Sequence, residues 1–207
     1  PRESQVEPFL EMIEKVWVDT YTAEVGQQTL RSYIPKQILL VGSASYNDDG
    51  STTEGTAEGG RQIVLYSVND FNFTLEQIQS YAHVMHHEFA HILHQNVEYD
   101  AEFEKITPSY SSSWMQMNDE TARTKGFITA YASSSADEDF AEMVSIMLTN
   151  SPEDWDNMIE SAGNATAVEA LRKKEAIVVA YMKNNWGVDM KDFQKEVVAA
   201  IEAAVRN

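Results

Sequence analysis

The sequence has no cysteine. That excludes disulfides, thiolate metal ligands and a cysteine nucleophile. It leaves the redox compartment open. Basic residues are scarce: 15 Lys and Arg stand against 33 Asp and Glu, a net charge of −18. Phosphate backbones and anionic lipid surfaces repel such a chain, so no nucleic-acid partner and no membrane-surface binding are expected. Solubility is the plain reading of the charge, and affinity for cationic substrates is the alternative. Long apolar runs are also missing. Stretches such as Ile38-Leu39-Leu40-Val41 are strand-sized, so no direct membrane insertion is expected. No signal peptide is visible. The chain opens on Pro1 without an initiator Met, which leaves room for an upstream segment.

What is present is a 43% apolar chain of 207 residues, enough for one domain over 1–207 with a sizeable core. Phe9, Leu10, Ile13, Val16 and Trp17 recur at helical spacing within Val6 to Val18. Ile38 to Val41 and Ile63 to Val68 read as strands. Between them, Asn47-Asp48-Asp49-Gly50 reads as a turn followed by a long exposed loop. Asp48 and Asp49 lack the spaced ligands of a calcium loop, so a hairpin turn is the better reading. Thr74, with Gln77 completing a capping box, starts a helix that runs to about Gln95. Loops and short segments follow to about Ala136. Helices are then expected at about Asp137 to Leu148, from the Ser151-Pro152-Glu153 start, at Ala165 to Asn184 and at Met190 to Val205. The expected fold class is α+β: an N-terminal lobe of about 1–96 with a small sheet packed on the long helix, and a mostly helical lobe of about 97–207.

His87-Glu88-Phe89-Ala90-His91 matches H-E-x-x-H within the long helix. Residues four apart lie about 40° apart round the axis and about 6 Å along it, so His87 and His91 can reach one ion. Glu88 is turned about 100° from His87 and can stand beside a water on the metal. Zn2+ would lower the pKa of that water towards about 7, and Glu88 would take its proton. A chance match on a polar helix surface is the bland alternative.

Catalytic zinc commonly takes three protein ligands. His94 lies about 10 Å along the axis from His87, too far on a straight helix, and His83 is awkward in the other direction. A third His six residues after His91 is absent, because that position is Val97. Glu138 is the better candidate, with Glu142 one turn on and able to accept a hydrogen bond from a ligand imidazole. Equally, these acids would suit a helix N-terminus, and Ser135 with Glu138 would form a capping box.

Two helices carrying H-E-x-x-H and a later Glu with an acid four residues on resemble the gluzincin group of zincins. The pattern is also similar to the anthrax lethal factor protease domain, where a Glu ligand opens a motif ending Phe-Ala-Glu and a Tyr precedes it. Tyr131 stands seven residues before Glu138, the same offset. By this resemblance Tyr131 would hydrogen-bond the oxyanion; otherwise it is a buried aromatic in a helix contact.

The whole chain resembles the substrate import-associated zinc metallohydrolase lipoproteins of Bacteroidetes, on His87 through Gln95, Glu138 to Glu142, and the order of elements. That likeness implies an exported, periplasmic or cell-surface lipoprotein beside an outer-membrane nutrient-uptake complex. Its lipid anchor would lie upstream of Pro1.

The resulting expectation is a zinc metallopeptidase acting on a peptide or protein substrate. A non-catalytic zinc-containing accessory protein and a zinc hydrolase of another amide or ester are the alternatives. His83, His86 and His94 are expected at the surface or behind the metal ligands, with His94 able to line the cleft. Arg61 to Val68 is the candidate edge strand for an extended substrate. Trp114, Tyr110 and Met115 could wall a pocket, and Asp119 and Glu120 read as solvated.

Overall fold

The computed structural model describes residues 1–47, 52–58 and 62–205. Asp48, Asp49 and Arg61, and with them the calcium question and most of the expected turn, lie outside those residues. The expected amphipathic helix is longer than its apolar stripe. Helix α1 (Glu3–Ile13) passes through a π-helical stretch, Glu14–Asp19, into α2 (Thr20–Val25), and α3 (Gln27–Tyr33) follows. The wider stretch keeps Val16 and Trp17 buried in line with Phe9, Met12, Ile13 and Tyr21. Just after it the Thr20 hydroxyl, at the start of α2, donates back to the Val16 and Trp17 carbonyls, at 3.2 and 2.9 Å.

Five short strands come next: β1 (Gln37–Leu40), β2 (Ser45–Tyr46), β3 (Thr52–Thr53), β4 (Gly55–Glu58) and β5 (Gln62–Leu65). The segment read as a long loop after Gly50 therefore holds two strands, β3 and β4. Its Gly, Thr and Ser carry little apolar alternation, so only pairing makes them strands. The three-stranded sheet has the order β1-β5-β4, with β1 parallel and β4 antiparallel to β5. Strands β2 and β3 form a separate antiparallel pair. Strand β5 is thus central. It cannot be the free edge expected of Arg61 to Val68, and β4 takes the edge beside the long helix. Gly55 permits that approach, because a Cβ there would collide with Val84.

The long helix α4 (Leu75–Asn96) starts at the Thr74 cap, where Gln77 N donates to the Thr74 hydroxyl at 3.3 Å. The Gln77 side chain closes the entry by accepting from Asn72 N at 2.7 Å instead of from Thr74. Short helices α5 (Glu102–Ile106) and α6 (Asp119–Arg123) and two 3-10 turns, Trp114–Gln116 and Tyr131–Ser134, lead to α7 (Ala136–Thr149). Helices α8 (Pro152–Glu160), α9 (Ala165–Tyr181) and α10 (Met190–Ala204) complete the chain, each close to its expected bounds. The expected α+β arrangement is the one adopted. One continuous core runs from Phe9 through Ile63, Phe89 and Phe140 to Ile201, with α4 and α7 packed on each other at its centre. Among the described residues, no helix is long and apolar enough to cross a membrane.

Candidate metal centre

Helices α4 and α7 meet so that three donors converge. His87 Nε2 lies 3.0 Å from Glu138 Oε2, His91 Nε2 lies 3.1 Å from the same oxygen, and the two imidazole nitrogens are 3.1 Å apart. Donors about 2.0–2.2 Å from a tetrahedral zinc lie about 3.4 Å from one another, so a slight opening of this triangle admits one ion. Two neutral imidazoles and a carboxylate are also the donor chemistry zinc takes. The residues therefore fit the metal. The Glu138 backbone N–H donates to the Ser135 cap at 3.3 Å, but its carboxylate turns to the histidines and does not close the expected capping box.

The far side of each imidazole has a partner. Glu142 Oε1 is 2.8 Å from His87 Nδ1, a short contact that is poorly aligned for a hydrogen bond, and 2.8 Å from His83 Nε2. The Thr129 hydroxyl donates to Glu142 Oε2 at 2.7 Å and accepts from Ala132 N at 3.1 Å. Behind His91, Nδ1 faces His94 Nε2 at 2.9 Å. His83 and His94 thus sit behind the ligand candidates, as expected, and both line the cleft. His86 does not. It is fully buried on a core-facing side of α4, between Tyr21 and Phe193, and neither ring nitrogen makes a well-formed hydrogen bond. Helical geometry is the reason: one residue before His87 is about 100° round the axis.

Burial alone would lower His87, but the Glu138 and Glu142 carboxylates outweigh it and raise it to about 10. Burial would raise Glu138 and Glu142, yet the imidazoles beside them hold both well below the usual carboxylate range. Glu88 lines the same cleft, and burial raises it above its ordinary value against the opposing pull of His87 and His91. Burial, with Glu138 close by, also pushes the Tyr131 phenol up. Its ring centroid is 5.8 Å from that of His87, and 38% of its surface is exposed. Tyr131 therefore stands at the cleft, not in a closed helix contact.

The cleft encloses about 1420 Å3, more than the roughly 300–1,000 Å3 of a small-molecule pocket. Glu54, Gly55 and Thr56 form one wall, and the Ser80 hydroxyl of α4 donates to Glu54. Trp114, Met115 and Met117 form another. Tyr110 is not in that wall. It donates to Asp139 Oδ2 at 3.0 Å, beneath α7. There the buried Lys174 ammonium donates to Asp139 Oδ2 at 2.6 Å and to the Gly126 carbonyl at 2.8 Å. Asp119 is exposed but not merely solvated, since it accepts from Ala130 N at 2.8 Å next to Tyr131. The roles of Thr129, Lys174 and Asp119 depend on contacts distant in sequence, and no local pattern announces them.

Two imidazoles from an H-E-x-x-H helix, closed by a carboxylate from a second helix, define the zinc-binding metallopeptidase class. The chain belongs to the family described as "Putative zinc-binding metallo-peptidase", whose model matches residues 1–191. It is similar to a crystal structure of a protein of the same description from Bacteroides caccae ATCC 43185, at 34% identity and a TM-score of 0.83. That match covers 95% of this chain and 76% of the other. No curated protein matches.

Proposed function

We propose that the protein is a zinc-dependent peptidase. His87, His91 and Glu138 hold the ion, and Glu88 and Tyr131 serve the reaction. The observation that carries this reading is the convergence of His87 Nε2, His91 Nε2 and Glu138 Oε2 within 3.1 Å on a cleft that Glu88 also lines. When bound, zinc would supply a Lewis acid and lower the pKa of a water towards about 7. Glu88, raised by burial, accepts the proton of the attacking water and passes it to the leaving amine. The Tyr131 phenol, held protonated by burial and by Glu138, donates to the developing oxyanion. Glu142 and His94 fix the imidazole orientations from behind. An extended peptide adds to the free edge of β4. Export and a lipid anchor form a separate part of the reading, supported by the family resemblance; labelling the full-length precursor with fatty acid tests it.

Metal analysis combined with a peptide-library digest tests the enzyme. Stoichiometric zinc in both wild type and Glu88→Gln, with digestion only by wild type, is expected. Stoichiometric zinc in a wild type that digests no peptide would instead favour a binding module.

A further inference from the structure

Most exposed large apolar side chains of this molecule, such as Leu10, Leu39 and Leu75, lie outside the cleft, and single exposed cases need no explanation. Met115 and Tyr131 differ. Met115 is 63% exposed, and both residues border the cleft together with the half-buried Trp114 and Met117. The Trp114 and Tyr131 rings meet edge to face at 4.9 Å, and Tyr131 in turn stands beside His87. The apolar wall therefore begins at the metal cluster and runs outward. It is also held in place. Ser111 N donates to the Ser133 carbonyl at 2.8 Å, which ties the segment to the Tyr131 turn, and Met117 N donates to the Trp114 carbonyl at 3.0 Å within the segment itself. An anchored, exposed apolar wall next to reactive groups is a surface made for a ligand.

We infer that this wall takes a large apolar side chain, such as Leu, Met or Phe, of a peptide residue flanking the scissile bond. The inference rests on the peptidase reading and names its substrate class. Charge supports it. Among the described residues lining the cleft there is no Lys or Arg to pair an acidic side chain, and Glu54, Glu88, Asp137 and Glu138 would repel one. A basic side chain would find carboxylates elsewhere in the cleft, but none among Trp114, Met115, Met117 and Tyr131. The thioethers of Met115 and Met117 can adjust to several apolar shapes, so one residue type is not singled out.

The test compares peptides that differ at one position next to the cleaved bond. Removing a buried Leu- or Phe-sized contact costs about 10- to 100-fold, so wild type should cleave Leu, Met and Phe peptides that much faster in kcat/KM than Ser, Lys or Glu peptides. Met115→Ser, at a largely exposed position, should shrink the Leu-to-Ser ratio severalfold, and Trp114→Ala should shrink it further. Binding of the same labelled peptides to zinc-loaded Glu88→Gln protein, read by fluorescence anisotropy, separates the two claims. Absence of cleavage with retained apolar preference in binding would overturn the peptidase reading and leave the wall's role standing. Equal treatment of Leu, Ser, Lys and Glu peptides, or preference for a charged one, would overturn the inference even if cleavage is brisk.

Discussion

Helices α4 and α7 each carry two consecutive ionisable residues with opposite fates. On α4, His86 is buried among Tyr21 and Phe193, and burial pulls it down to about 3, while its neighbour His87 is raised to about 10 by two carboxylates. On α7, Glu138 faces the imidazoles and is held low, while burial pushes the next residue, Asp139, up to about 6 against the pull of Lys174. Residue type does not decide this. One step along a helix is about 100°, enough to move a side chain from cleft to core. The cleft member of each pair gains partners that an ion can replace. The core member is an obligation that packing must meet.

That contrast can be broken from the cleft side first. Glu138→Ala should weaken zinc binding by at least about 1,000-fold in chelator competition, beyond the 10- to 100-fold typical of groups behind the ligands. A loss of only a few-fold would remove Glu138 from the ligand set. On the core side, Lys174→Ala leaves Asp139 buried without an opposite charge, with only the Tyr110 hydrogen bond, and should cost about 3–5 kcal/mol in denaturant unfolding. The Lys174→Met, Asp139→Leu double variant should recover most of that loss. If the single variant unfolds like wild type, the pair is not closed to water.

His86 gives a pH signature. Its folded value lies near 3 and its unfolded value near 6.5, so only the unfolded chain takes up this proton as the pH falls through 6.5. The associated stability is complete above pH 6.5 and is lost below it, by about 3 kcal/mol between pH 7 and pH 4.5. His86→Leu should flatten that part of the stability curve, and an unchanged slope would show that other groups control it. The smallest effects sharpen the cleft side. Glu142→Ala should weaken zinc binding about 10- to 100-fold, and Thr129→Val, which removes only one of the donors to Glu142, less than about tenfold. The reverse order would mean that the turn carrying Tyr131, not the orientation of His87, is what Thr129 secures.

Much of this arrangement is legible in the sequence. The H-E-x-x-H helix, its Thr74 cap, the later helix with Glu138 and Glu142, and the helical second half all rest on spacing within one element. What is not legible depends on pairing between distant segments. Strands β3 and β4 have no apolar alternation, so the sequence points to the more apolar β5 as the edge, yet β5 is buried at the sheet centre. His86 lies next to the motif in sequence but across the helix in space. The Thr129–Glu142 and Lys174–Asp139 contacts join residues 13 and 35 apart and follow no local pattern.

Diffraction from zinc-soaked crystals, with the anomalous signal collected at the zinc absorption edge, addresses the centre most directly. A single strong peak is expected about 2.0–2.2 Å from His87 Nε2, His91 Nε2 and a Glu138 carboxylate oxygen. A peak between His83 and Glu142 instead, or Glu138 turned to solvent while zinc rests on the histidines alone, would contradict the proposed centre.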